Sequence, residues 1–391
     1  MYDGEENMKK IKVVTSNNRG FLLNLFNYKN DKYFFEYSSK TIYEVNNNLK
    51  KILSKIVKMR VFDYIGLFQV IKCNHGDENL CFSYNRFLNS DKPYVILLEN
   101  PAALVNYCWK RPRSFISKMK LKRLFENDNL KAIVCMSDAC KKGLYQLYDI
   151  PKSLNVKQIY PMIFDSNCKP EDIRKKCYNK VLECLYISSD FYLKGGKDIL
   201  NIYNHLDRDL SIHITIISKS ELISDNDMEI LKSNNIFSFV EFNLSKEELD
   251  VYYKNSAILL NPTRGDSFSL VTLEALKYGC VIIGADVYAI KEMVENDTNG
   301  YLRFPQYRYW SDKNMPNEKL MKENDVRKYE DREMTEMLVM HMADLCRNRE
   351  KLFCMCSESL KKSTGRLFGE EYIAKKWISL FDQCTEIGCG E

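Results

Sequence analysis

The chain has 391 residues, with 58 lysines and arginines against 53 aspartates and glutamates, a net charge of +5, and 45% hydrophobic residues. That length and apolar content suit two to three soluble domains with full cores. No stretch approaches the roughly 20 apolar residues of a membrane span, and the acidic start Met1–Asn7 is unlike a secretory signal.

The elements alternate in two rounds. In the first half, Ile11–Val14, Tyr33–Tyr37, Phe62–Val70, Tyr94–Leu98 and Ala132–Met136 read as strands, and Thr41–Lys58 and Ser137–Tyr148 as helices. The second half repeats the pattern. Its strands are Val181–Ile187, Ile212–Ile217, Phe237–Phe242, Ala257–Leu260 and Val281–Ile283, with helices at Gly196–Leu206, Asp225–Ser233 and Ser245–Ser256. Such alternation predicts α/β architecture: two Rossmann-like domains, each a parallel sheet covered on both faces. The expected divisions are 1–165, a linker over 166–180 around Pro170, 181–345, and C-terminal helices over 346–391 that return to the first domain. A polar segment, Pro305–Arg332, carries no periodicity that settles its form.

Two constellations carry chemistry. Asn261-Pro262-Thr263-Arg264-Gly265-Asp266-Ser267-Phe268-Ser269-Leu270 leads from a buried strand into a helix that continues through Glu274 to Gly279. Asp266 then lies on the loop and Glu274 inside the helix. The helix start offers backbone N–H groups around Ser267, Phe268, Ser269 and Leu270 to phosphate or hydroxyl oxygens. On spacing alone, a loop in which Asp266 and the serines only cap the helix fits equally well. The second constellation, Tyr186–Leu200, places Lys194, Gly195 and Gly196 between a strand and a helix. Backbone donors and a lysine there make a diphosphate cradle.

From Leu249 to Leu302 the chain resembles the donor-binding half of retaining GT-B glycosyltransferases of family 4, also described as glycosyl transferases group 1. The resemblance rests on Pro262, Thr263, Asp266, Glu274, Ala275 and Gly279, then Val281–Asp286, Glu292 and Asn299–Leu302. It implies two Rossmann-like domains facing across a cleft, transfer of a sugar from a nucleoside diphosphate sugar to an acceptor hydroxyl, and a place in glycan or polysaccharide biosynthesis. By resemblance, Asp266 contacts the donor sugar, Glu274 holds the ribose hydroxyls, and Lys194 with Gly195 binds the pyrophosphate. Asp266 and Lys194 are thus the catalytic candidates, and no metal or other cofactor is implied. The sequence departs in three places: Asp266 replaces the usual glutamate, Ala289 stands at a common glycine, and Ser188-Ser189 stands where Gly-Arg is frequent, which removes one guanidinium. A catalytically weak module that binds nucleotide sugar or glycan, and an epimerase or phosphorylase on the same fold, stay open.

In the first half, the family's glycine-rich turn near the phosphates maps onto Thr15–Gly20, giving Arg19 and Gly20 as donor-binding candidates. Glu99–Pro101 follows a strand end, where open α/β sheets bind ligands. His75 stands in a polar loop and reads as a surface histidine. Seven of the fourteen residues in Lys110–Arg123 are basic, interleaved with Phe115, Ile116, Met119 and Leu121. This patch allows peripheral contact with the inner membrane face and a lipid-linked acceptor. No nucleic-acid motif accompanies it. The fourteen cysteines read as reduced cytosolic thiols, since Cys354-x-Cys356 and Cys384-x4-Cys389 lack the paired spacing of a zinc knuckle.

Overall fold

A computed structural model of the chain describes residues 8–15, 19–37, 59, 61–73, 76–317 and 325–386. It contains two compact units, Met1–Met162 with Glu370–Glu391, and Ile163–Gly369. The fold is α/β.

The first unit carries β1 (Lys9–Val14), β2 (Tyr33–Tyr37), β3 (Val70–Lys72), β4 (Leu80–Tyr84), β5 (Phe87–Asn89), β6 (Tyr94–Leu98), β7 (Leu130–Cys135) and β8 (Asn155–Gln158). Six form a parallel sheet in the order β2-β1-β4-β6-β7-β8, while β3 pairs with β5 alone. Every residue of β4 and β6 is buried, as expected of central strands covered on both faces. The Glu370–Glu386 helix closes one side, with Trp377 against Phe82 and Phe381 against Tyr33.

The second unit carries β9 (Leu182–Ser188), β10 (Ile212–Ser218), β11 (Phe237–Glu241), β12 (Ile258–Asn261), β13 (Val281–Ala285) and β14 (Gly300–Arg303). They form a parallel sheet in the order β11-β10-β9-β12-β13-β14. This is the doubly wound order whose direction reverses between its first and fourth strands. The reversal falls between β9 and β12, so the loops leaving those two strands flank the crevice at the sheet's carboxyl edge.

Several expectations change. Phe62–Val70 is not a strand: Val61–Ile65 is helical, Gly66 ends it at φ +63°, and extended structure begins only at Val70. The expected linker holds a helix, Pro170–Cys177, tied into the second unit where Lys176 Nζ donates to the carbonyls of Ser256 (2.8 Å) and Tyr278 (2.6 Å). The division between units falls after Met162. Not all of 346–391 returns to the first unit. Arg349–Thr364 stays with the second, burying Leu352, Met355 and Cys356, and Ser363 Oγ donates to Leu276 O at 2.8 Å. The return begins at Glu370. The helix expected over Thr41–Lys58 lies outside the described residues.

Candidate functional site

Both constellations sit at the point where the second sheet reverses. The loop from β9 turns at Gly195, with φ +82°, into the Gly196–His205 helix. A Cβ at Gly195 would stand 2.2 Å from Pro262 O, so a glycine is required for this loop to lie against the one leaving β12. Arg264 N–H donates to Leu193 O at 3.0 Å and joins the two loops.

Their side chains meet as a result. Lys194 Nζ stands 2.6 Å from Asp266 Oδ2 and donates to Gly265 O at 2.9 Å. Lys194 and Asp266 are each 23% exposed, enough for a ligand to reach them. Asp266 Oδ1 also accepts from Ser269 N–H at 3.0 Å, so one of the amides expected to face phosphate is already engaged by the loop carboxylate. Ser267 is half-buried and Phe268 buried at the same turn.

Ser269 sits immediately before the Leu270–Lys277 helix in the left-handed region, φ 68° and ψ 71°, rare for a residue with a Cβ. A buried polar knot holds it there. Asn261 Nδ2 donates to Ser269 Oγ (3.0 Å) and to Thr272 Oγ1 (2.9 Å), and those two hydroxyls lie 2.9 Å apart. Such strain persists where surrounding contacts over-determine it, and it concentrates at functional sites.

Glu274 lies on the same helix. Tyr253 Oη donates to its Oε2 at 2.8 Å, and the fully buried Tyr253 stacks on Tyr278 with ring centres 5.6 Å apart. Burial raises the Glu274 carboxyl above its ordinary range, opposed by the Tyr253 hydrogen bond. A carboxylate held this way favours a ligand that donates hydrogen bonds in place of the lost water.

Residues 184–308 match the model of the family described as glycosyl transferases group 1. The matched segment lies within the second unit. A protein of Klebsiella pneumoniae described as an uncharacterized 41.2 kDa protein in the cps region is 26% identical over 155 residues, 38% of this chain and 41% of that protein. The match thus spans under half of that relative. Among solved structures, Anabaena HepE in complex with UDP and glucose superposes with a TM-score of 0.60 at 13% identity, covering 96% of this chain and all of HepE. Sucrose-phosphate synthase from Thermosynechococcus elongatus gives 0.60 at 13%, covering 97% and 100%. A glycosyltransferase from Rickettsia africae gives 0.60 at 13%, covering 97% and 99%. At these identities the likeness establishes the fold, which is GT-B.

Sequence reasoning missed three features of the second unit. Arg264, 1% exposed, places Nη2 2.5 Å from both carboxylate oxygens of Asp198, which is fully buried. Burial pushes the Asp198 carboxyl up to about 7 against the pull of Arg264 and a 2.8 Å hydrogen bond from Asp331 N–H. Tyr253 was seen only as part of a helix. The described parts of Pro305–Arg332 are packed rather than loose. Tyr309 N–H donates to Arg264 O at 2.7 Å, its ring covers Gly265, and Trp310 lies on Tyr288 with ring centres 4.3 Å apart. The same segment brings Arg327 Nη1 to 2.5 Å from Asp190 Oδ1, on the loop that also carries Lys194. These pairs are 66 and 137 residues apart in sequence, beyond any local pattern.

In the first unit, Arg19 immediately precedes the Gly20–Phe26 helix after β1, while residues 16–18 and His75 lie outside the described residues. Arg19 and Gly20 belong to the other unit from Lys194, Asp266 and Glu274. At the carboxyl end of β6, Glu99 accepts hydrogen bonds from the hydroxyls of Tyr84 and Tyr107, and its N–H donates to Asn85 Oδ1 at 3.0 Å. Asn85, Asn106 and Tyr107 here all have positive φ. Burial, reinforced by Glu99, raises the pKa of both tyrosines, so each stays protonated and donating.

Proposed function

We propose that the chain is a retaining glycosyltransferase that moves a sugar from a nucleoside diphosphate sugar to an acceptor hydroxyl in glycan or polysaccharide synthesis. The observation that carries this reading is the convergence, within the matched segment, of Lys194 on Asp266 at 2.6 Å beside the helix that bears Glu274. Lys194 binds the diphosphate and stabilises the charge that develops as it leaves. Arg327, held on the same loop by Asp190, supplies a second cation in place of the guanidinium absent at Ser188-Ser189. Asp266 orients the sugar and stabilises positive charge at its ring, and Glu274 accepts from the ribose hydroxyls. Gly195, Ser267, Phe268, Ser269 and Leu270 shape the phosphate-facing turn. No metal is needed for these roles.

The attacking hydroxyl approaches from the face the diphosphate leaves, a phosphate oxygen takes its proton, and the products are the nucleoside diphosphate and the glycoside with unchanged anomeric configuration. Glu99 with Tyr84 and Tyr107 is a candidate polar contact for a ligand within the first unit. The solved HepE complex with UDP-glucose makes uridine the first nucleotide to try.

A cytoplasmic place at the inner membrane face fits the Phe115–Phe125 helix, which exposes Phe115 (76%), Ile116 and Met119 among Lys118, Lys120, Lys122 and Arg123. No helix among the described residues is long and apolar enough to cross a membrane. Co-sedimentation with vesicles containing anionic lipid, lost on Phe115→Asp, checks this contact.

The deciding experiment is calorimetric binding of UDP, GDP, ADP and CMP, followed by donor-sugar hydrolysis with whichever base binds. One nucleotide bound, and its sugar slowly released to water, supports the transferase. Absence of binding by any of them refutes it, and tight binding without turnover on any acceptor favours a non-catalytic module.

A further inference from the structure

The first unit holds a cluster that sugar transfer does not use. Cys73, directly after β3, Glu78 in the following loop, and Cys81 in β4 turn their ligand atoms together, all within 4.8 Å of one another. Their exposures are 6%, 1% and 0%. Cys73 Sγ and Cys81 Sγ are 3.7 Å apart, and Cys81 Sγ is 4.0 Å from Glu78 Oε1. Two thiolates bound to zinc at about 2.3 Å and tetrahedral angles stand about 3.8 Å apart, which matches the observed sulfur separation.

The surroundings fit a cation as well. Gly76 N–H donates to Glu78 Oε2 at 2.8 Å, which orients the carboxylate with Oε1 toward the sulfurs. Ligand carboxylates are commonly fixed by such outer hydrogen bonds. Lys12, paired with Cys81 in the β1–β4 register, places Nζ 3.7 Å from Glu78 Oε1. Two thiolates and one carboxylate carry three negative charges, which a dication and Lys12 balance, so the buried cluster closes without net charge. Cys73 N–H donates to Asn89 O at 3.1 Å, next to the β3–β5 pair. The three ligands therefore bridge that small sheet, the connecting loop and the large sheet.

We propose that Cys73, Glu78 and Cys81 form a structural zinc site that staples the β3–β4 connection. Binding converts both thiols to thiolates, their protons passing to solvent, and leaves one coordination position for a further donor. Two thiolates with tetrahedral spacing favour zinc over the harder magnesium and calcium.

The full chain, purified without chelator and equilibrated with equimolar zinc before desalting, is expected to retain one zinc per chain. Cys73→Ser and Cys81→Ser each reduce this to background, whereas Cys354→Ser, at an exposed cysteine, leaves it unchanged. Should a ligand variant fail to fold, cobalt added to the wild-type chain serves instead: a thiolate-to-cobalt charge-transfer band, abolished by equimolar zinc, is expected. No zinc retained, zinc retained equally by the double cysteine variant, no thiolate band with cobalt, or a Cys73–Cys81 disulfide in the protein as isolated would each overturn the proposal.

Discussion

Replacing Glu274 with glutamine isolates the proposed ribose contact, because it keeps the side chain's shape while exchanging one acceptor oxygen for a donor. In the structure Tyr253 Oη donates to Oε2 at 2.8 Å, and an amide oxygen can still accept that bond. The two ribose hydroxyls then meet a neutral group. Hydrogen bonds to a charged acceptor contribute about 1.5–3 kcal/mol each and neutral ones about 0.5–1.5, so weakening two of them costs roughly 2–3 kcal/mol. At 1.4 kcal/mol per decade this is a ~30- to 150-fold loss of nucleoside diphosphate affinity. Calorimetry on wild type and variant measures it directly, and inorganic pyrophosphate, which has no ribose, should bind both equally. An unchanged nucleotide affinity, or an equal loss for pyrophosphate, refutes the assignment.

The same carboxyl sets a pH dependence. Burial raises its pKa, so on acidification it protonates at a higher pH than an ordinary glutamate. Nucleotide affinity should therefore fall as pH drops through the raised value, with that inflection absent in Glu274→Gln. Asp266→Asn should reduce turnover more than nucleotide affinity in parallel kinetic and binding assays; equal losses would make Asp266 a loop-holding residue. Asp198→Ala strands a buried guanidinium and should destabilise the second unit by about 3–5 kcal/mol in chemical denaturation, with most of the loss recovered when Arg264 is also replaced by Met. Gly195→Ala must put a Cβ 2.2 Å from Pro262 O at φ +82°. The backbone conformation alone costs about 1–2 kcal/mol, and the loop's displacement should abolish nucleotide binding while far-ultraviolet circular dichroism stays native. Arg327→Ala should weaken UDP binding but leave uridine binding unchanged; equal effects on both would remove Arg327 from the phosphate site.

The strands of the second unit were legible because a parallel strand covered on both faces is a short, nearly continuous apolar run. Ile258-Leu259-Leu260 and Val281-Ile282-Ile283 are of this kind. β4 was missed although it lies inside the first sheet, because Leu-Cys-Phe-Ser-Tyr mixes polar and apolar residues while all five are buried. Ser83 can be there because its hydroxyl donates to Arg86 O at 2.7 Å. The false strand at Phe62–Val70 shows the converse error, where apolar content outweighed Asp63 and the helix-ending Gly66. The sequence placed Lys194 and Asp266 on loops and Glu274 inside a helix, as they are, but the contact between Lys194 and Asp266 could not be read from it. Tyr253 reaches Glu274 across 21 residues, and nothing local marks it as a partner.

The cations of the loops leaving β9 and β12, and of the segment packed on them, differ in how they are held. Arg264 and Asp198 are 1% and 0% exposed, and Asp331 N–H also donates to Asp198, so that pair has little freedom to exchange partners. Its effect is positional: Arg264 N–H ties to Leu193 O and its carbonyl accepts from Tyr309 N–H, fixing both loops around Lys194. Lys194 with Asp266 and Arg327 with Asp190 are each about one-quarter to one-third exposed, and Lys194 also donates to Gly265 O. Water screens such pairs, so little free energy opposes their opening. A diphosphate presents more negative charge and more acceptor oxygens than either carboxylate. In the proposed reaction it draws both cations from their partners, and Asp266, once released from Lys194, becomes available to the sugar that the same diphosphate would carry.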